Sequence, residues 1–188
     1  MGEATLAALA ADAASCTACR LSESRTTVVF GTGGTSSGLL VVGEGPGREE
    51  DLRGEPFVGR SGQLLDRLIA EELGLTRASF YIANVVKCRP PGNRDPAPDE
   101  IVACSRYLDG QLDLVDPRVV VSLGNVATRV LLGTDEGISS LRGRTHPWRG
   151  RTLVPTFHPA YALRGGGAVV AQMRADLVRA KQALVAPR

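Results

Sequence analysis

The stretch Leu39-Leu40-Val41-Val42-Gly43-Glu44-Gly45-Pro46-Gly47 decides the fold. A run of aliphatic residues with no polar residue at alternate positions reads as a strand buried on both faces, as in a parallel sheet covered by helices. The glycine- and proline-rich segment after it reads as a turn. Three further runs have the same character: Phe80 to Val86, Val119 to Leu123 and Thr152 to Phe157. Helical periodicity lies between and after them. Leu64, Leu65, Leu68, Ile69 and Leu73 share one face, as do Ile101, Cys104, Leu108, Leu112 and Val115, and near the end Val170, Met173, Leu177, Ala180 and Leu184 recur at spacings of three and four. Strands alternating with helices predict one three-layer α/β/α sandwich over residues 1–188, with a central, mainly parallel four-stranded sheet. Ligands of such sheets bind at the carboxyl ends of the strands. That rule directs attention to Gly43–Gly47, Lys87–Arg94, Gly124–Asn125 and the segment His158–Arg164, which is expected to be a loop.

With 188 residues and 43% hydrophobic content the chain can bury one core. No stretch approaches the roughly 18 apolar residues of a membrane-spanning helix, and the expectation is a soluble, cytoplasmic monomer. A net charge of +2 excludes a polycation that coats nucleic acid along its whole length, so any DNA site must be local. Gly137 to Ala175 holds Arg142, Arg144, Arg149, Arg151, Arg164, Arg174 and both histidines with no Asp or Glu. Uncompensated arginines there would attract phosphates. A solvated arginine-rich face is the plainer alternative. Gly31–Gly38 and Gly165–Gly167 read as flexible.

Cys16 and Cys19 form a C-x-x-C pair, and Cys88 and Cys104 stand with 15 residues between them. Thiols in an intracellular chain point to metal or redox chemistry rather than to a disulfide framework. A thioredoxin-like site would place its C-x-x-C after a first strand, and this pair precedes the core. Zinc favours two close pairs, whereas an iron–sulfur cluster accepts scattered thiolates. Spacing leaves iron–sulfur, zinc and unliganded cysteines all open, Cys104 also suiting an apolar helical stripe.

The Gly43–Gly47 turn lacks the Lys and Ser/Thr of a phosphate loop, and Glu49, Glu50 and Asp51 beside it disfavour an anion. A tight structural turn or a site for a neutral ligand such as a base edge both remain. His158, at the end of the last strand and inside the acid-free region, is well placed to act on developing negative charge.

Taken together these residues resemble the family 4 uracil-DNA glycosylases, the iron–sulfur branch of their superfamily. The resemblance rests on CTAC at Cys16–Cys19, GEGPGREED at Gly43–Asp51, PFVGRSGQLLDRL from Pro56, NVVKCRPPGNRDP from Asn84 and FHPAYALR from Phe157. It implies an enzyme that flips uracil from single- or double-stranded DNA, hydrolyses its N-glycosidic bond and leaves an abasic site for downstream processing enzymes. It implies a 4Fe-4S cluster on Cys16, Cys19, Cys88 and Cys104, tying down residues 1–25. It further implies that Phe57 stacks on the base, that Asn84 reads its edge, and that His158 donates to O2 of the departing anion. Backbone around Glu44 and Gly45 would hold the same edge. Other branches place Asp or Asn where this chain has Gly45, which leaves Glu44 and Asp51 as candidates to activate water. Leu163 is the expected apolar wedge, with Arg164 and Arg89 on DNA phosphates.

Three other readings compete. One is a non-catalytic iron–sulfur DNA-binding module of the same fold. Another is a relative trapped covalently on DNA through a histidine in an inserted loop, which the chain disfavours because only His146 and His158 exist. The third, a doubly wound nucleotide-binding enzyme, lacks the phosphate-loop fingerprint.

Overall fold

A computed structural model describes residues 5–187; the remainder of the expected 1–188 domain lies outside the described residues. The elements run α1 (Leu6–Ala14), β1 (Thr32–Gly33), β2 (Leu39–Gly43), α2 (Arg48–Arg53), α3 (Arg60–Leu73), β3 (Tyr81–Asn84), α4 (Pro98–Val115), β4 (Val119–Leu123), α5 (Gly124–Leu132), α6 (Ile138–Leu141), β5 (His146–Trp148), β6 (Arg151–Thr156) and α7 (Pro159–Val185). The sheet order is β1-β3-β2-β4-β6-β5. Its four inner strands are parallel, with Leu40 opposite Tyr81, Val41 opposite Val121 and Val121 opposite Val154.

Strand period two explains the three layers. In β2, Leu40 and Val42 face a core shared with α4 and α5, while Leu39 and Val41 face a second core shared with α3 and α7. The four long strands are the four read from the sequence. The sheet nevertheless has six strands, not four. The two additions are antiparallel edge strands of two and three residues. The first falls in the glycine-rich stretch expected to be flexible, and the second carries Pro147, which an edge tolerates because one side of it needs no donor.

Two other expectations change. His158–Arg164 is not a loop: His158 is the N-cap of α7, and Pro159 opens the helix. Proline suits a first helical position because the N–H it lacks would have no partner there. Gly165–Gly167 stays inside that helix as a kink, at Gly166 with φ 71°. The acid-free region is also less basic than it reads. Arg142 grips Asp176, Arg149 pairs with Asp109, Arg151 with Asp116, and Arg174 with Glu71 and Glu72. Among the described arginines of that region, only Arg144 and Arg164 make no salt bridge or side-chain hydrogen bond.

Candidate active site

The carboxyl ends of β2, β3 and β6 open into one cavity of about 520 Å³, within the range of small-ligand sites. Its wall includes Glu44, Gly45, Phe57, Asn84 and His158, so five residues singled out by sequence meet in one place.

Gly43 is the steric key. It pairs with Asn84 across β2 and β3. A Cβ there would lie 2.4 Å from Asn84 Oδ1 and 2.5 Å from the Phe57 ring, so both side chains crowd over a bare backbone. Phe57 is held in the left-handed region, at φ 56°, which a bulky residue adopts only when its surroundings impose it. Here Arg77 does so. Its guanidinium donates to the carbonyls of Phe57 at 2.7 Å and Pro56 at 3.0 Å, while Asp66 holds the guanidinium from behind at 2.6 Å.

Asn84 is 1% exposed, and its Oδ1 is buried with no hydrogen-bond partner. A buried amide oxygen without a donor costs about 1–3 kcal/mol, so the wall of the cavity carries an acceptor that a ligand N–H would satisfy. The His158 ring lies 5.9 Å from the Phe57 ring, tilted by 32°. Its Nδ1 accepts from the Ala160 amide at 3.2 Å, which fixes the neutral tautomer with the proton on Nε2. Burial, helped by the charge of Arg164, lowers its pKa to about 4. Near neutral pH it is therefore an uncharged hydrogen-bond donor. Glu44 behaves in the opposite sense. Burial, then the charge of Asp95 and a hydrogen bond with it, raise its carboxyl to about 7.

Other candidates lie apart from this group. Asp51 is 2% exposed, and its Oδ1 accepts from the amides of Thr26 at 2.9 Å and Thr27 at 3.2 Å. Its carboxylate fastens the N-terminal segment to α2 and does not line the cavity. Of the strand ends, Gly124–Asn125 supplies support only: Asn125 Oδ1 accepts from Ile138 N–H at 2.8 Å. Gly124, at φ 83°, packs against His158, where a Cβ would come within 3.1 Å of its side chain. At the cavity mouth stands Arg164, near the exposed Tyr161 and Leu163, 47% and 43% accessible. Arg89 donates to Asn93 Oδ1 at 2.7 Å. Glu50, Ser61 and Asn93 also line the cavity. In the sequence Glu50 reads only as part of an acidic run, and Ser61 and Asn93 do not stand out. Glu50 could have been found from its place three residues beyond Gly47, one turn into α2, whereas Ser61 and Asn93 carry no such local signal.

All four cysteines are free thiols and line a single cleft between the N-terminal segment, the segment after β3 and α4. Cys104 Sγ accepts from the Lys87 amide at 3.3 Å, and Cys88 Sγ from Arg25 at 3.4 Å. Arg25 also donates to the Cys16 carbonyl at 2.7 Å. Burial raises the thiols of Cys88 and Cys104. Among the described residues no three His, Cys, Asp or Glu side chains close on one ion-sized point.

An α/β/α sandwich with an aromatic wall, a buried amide and a neutral imidazole at its strand ends defines a class. A model of the uracil DNA glycosylase superfamily matches residues 30–183, and the chain belongs to that superfamily. Within it, the similarity runs to type-4 members. The chain is 48% identical over 151 residues to the type-4 uracil-DNA glycosylase of Thermotoga maritima, covering 79% of this chain and 78% of the relative. It is 45% identical to that of Sulfurisphaera tokodaii, with 79% and 71% covered, and 44% identical to that of Saccharolobus solfataricus, with 79% and 72% covered.

Proposed function

We propose that the chain hydrolyses the N-glycosidic bond of uracil flipped out of DNA. The observation that carries this reading is the unpartnered, buried Oδ1 of Asn84 beside the Phe57 ring. Uracil offers that oxygen its N3–H and offers the amide N–H₂ its O4, whereas cytosine presents a bare acceptor and a donor at those two places. The mismatch leaves buried groups unpaired, and such sites reject the wrong base strongly.

As the C1′–N1 bond breaks, its electron pair leaves with the base and negative charge gathers on O2. The neutral His158 donates its Nε2–H there, and a neutral donor carries no charge that must first be desolvated. Water then adds to C1′ and gives up a proton. Glu44, with a carboxyl raised to about 7, suits that base role near neutral pH. Asp51 is less suited, because its carboxylate already serves two main-chain amides. Leu163 and Tyr161 offer apolar surface to the gap left in the base stack, with Arg164 beside them and Arg89 on the neighbouring segment for phosphates.

The cysteine cleft fits a 4Fe-4S cluster. It brings four thiols into one cleft and leaves no position open, and two sulfurs already take N–H donors of the kind that tune such sites. When bound, the group would clamp the N-terminal segment to α4 and the segment after β3.

Purified protein incubated with oligonucleotides containing uracil, cytosine or thymine, followed by alkaline cleavage of abasic sites, tests the reading. Strand breaks confined to uracil support it; breaks in none, with DNA still bound, would favour the non-catalytic module. Iron and sulfide content decides between cluster and zinc.

A further inference from the structure

Lys87 is 1% exposed, and none of its polar contacts is a carboxylate. Its Nζ donates to the Asn84 carbonyl at 2.6 Å and to Gln111 Oε1 at 2.6 Å. Gln111 is fixed in turn by donating from Nε2 to the Phe30 carbonyl at 2.8 Å. The main chain of the same lysine is held on both sides. Its amide donates to Cys104 Sγ at 3.3 Å, and its carbonyl accepts from Val29 at 2.8 Å. One residue thus grips the last residue of β3 with its side chain and a cysteine sulfur with its backbone. Between the two ends, the amides of Val85 and Val86 continue the sheet by donating to the carbonyls of Gly43 and Glu44. Burying an amine is costly unless its hydrogen bonds are made, and for mere packing a methionine would serve as well. Its position is explained if the segment from Asn84 to Cys88 must be rigid.

We propose that Lys87 is a positioning residue that couples the four-cysteine site to the base-reading amide of Asn84. The inference rests on the assignment of Asn84 as the uracil reader. Replacing the side-chain amine removes a hydrogen bond from a buried carbonyl at the residue whose side chain selects the base.

The test uses Lys87→Met in the full chain and DNA carrying a 2′-fluorinated uracil nucleotide that resists cleavage, with its cytosine counterpart as reference. The ratio of the two affinities should fall by about 10- to 100-fold in K87M, the range set by leaving a buried carbonyl without its donor. Iron content and visible absorbance per chain should match the parent, and Lys87→Arg should restore part of the ratio. In an Asn84→Ala background K87M should change the ratio no further, which a general loosening of the fold would not reproduce. If K87M yields no folded protein, Gln111→Met, which leaves Nζ one acceptor, should lower the ratio several-fold. A parent that discriminates while K87M, or in its absence Q111M, discriminates equally well overturns the proposal. A parent that does not discriminate overturns the assignment of Asn84 instead.

Discussion

The pH dependence of turnover follows from two groups in the cavity whose ionisation is pushed in opposite directions. Glu44 is raised to about 7 by burial, then by Asp95, and its working form is the carboxylate. His158 is lowered to about 4 by burial, then by Arg164, and its working form is the neutral ring. Of these two groups, only Glu44 changes form between pH 5 and pH 8. With one proton on an essential base, kcat/KM should be flat above pH 8 and fall by about tenfold at pH 6 and about 100-fold at pH 5. The perturbation is Glu44→Gln, which keeps the shape and removes the proton site. Single-turnover cleavage of a uracil oligonucleotide from pH 5 to 9 reads both profiles. E44Q should be slower throughout and flat. A parent profile without an acid limb, or a limb that survives in E44Q, would refute the assignment of the base.

Removing the imidazole by His158→Ala should lower kcat by about 100- to 1,000-fold with little change in binding of uncleavable uracil DNA, as for loss of one donor to a developing oxyanion. Asn84→Asp replaces a donor and an acceptor with acceptors alone, so uracil turnover should fall at least about 100-fold while the preference over cytosine narrows in the same cleavage assay. Gly43→Ala puts a methyl group 2.4 Å from Asn84 Oδ1 and 2.5 Å from the Phe57 ring, and displacement of both should cost about 100-fold in kcat/KM with little change in melting temperature. Glu100 tests the scaffold: fully buried, it is held at a pKa of about 2, first by the Arg94 hydrogen bond and then by Arg20 and the Ala97 amide, against burial. Its contribution is full above the ordinary value of 4.5 and is lost as pH falls through about 2. Both arginines are partly exposed, so Glu100→Gln should cost about 1–3 kcal/mol in thermal melts at pH 7, and the gap to the parent should narrow in acid.

The parts of the fold legible in sequence are those whose signal is local. β2, β3 and β4 are buried along their length and β6 over its last four residues, and strands of that kind read as nearly continuous apolar runs, as Leu39–Val42 does. The edge strands were not legible because two residues of Thr-Gly, or a His-Pro-Trp, carry no periodicity at all. Site residues flanking glycine turns or ending strands were readable for the same reason, with Asn84 and His158 as the clearest cases. Charge was not. Arg142 reads as free because Asp176 lies 34 residues away, and Arg174 because Glu72 lies 102 away. Lys87 shows the same limit from the other side, since a lysine beside a cysteine reads as surface until the fold encloses it.

The most direct measurement is a structure of the chain with DNA bearing the cleavage-resistant uracil nucleotide. The base should be stacked on Phe57, with Asn84 Oδ1 accepting from N3–H and His158 Nε2 donating to O2. A flipped base bound elsewhere, or one that leaves the Asn84 oxygen unpartnered, would contradict that arrangement.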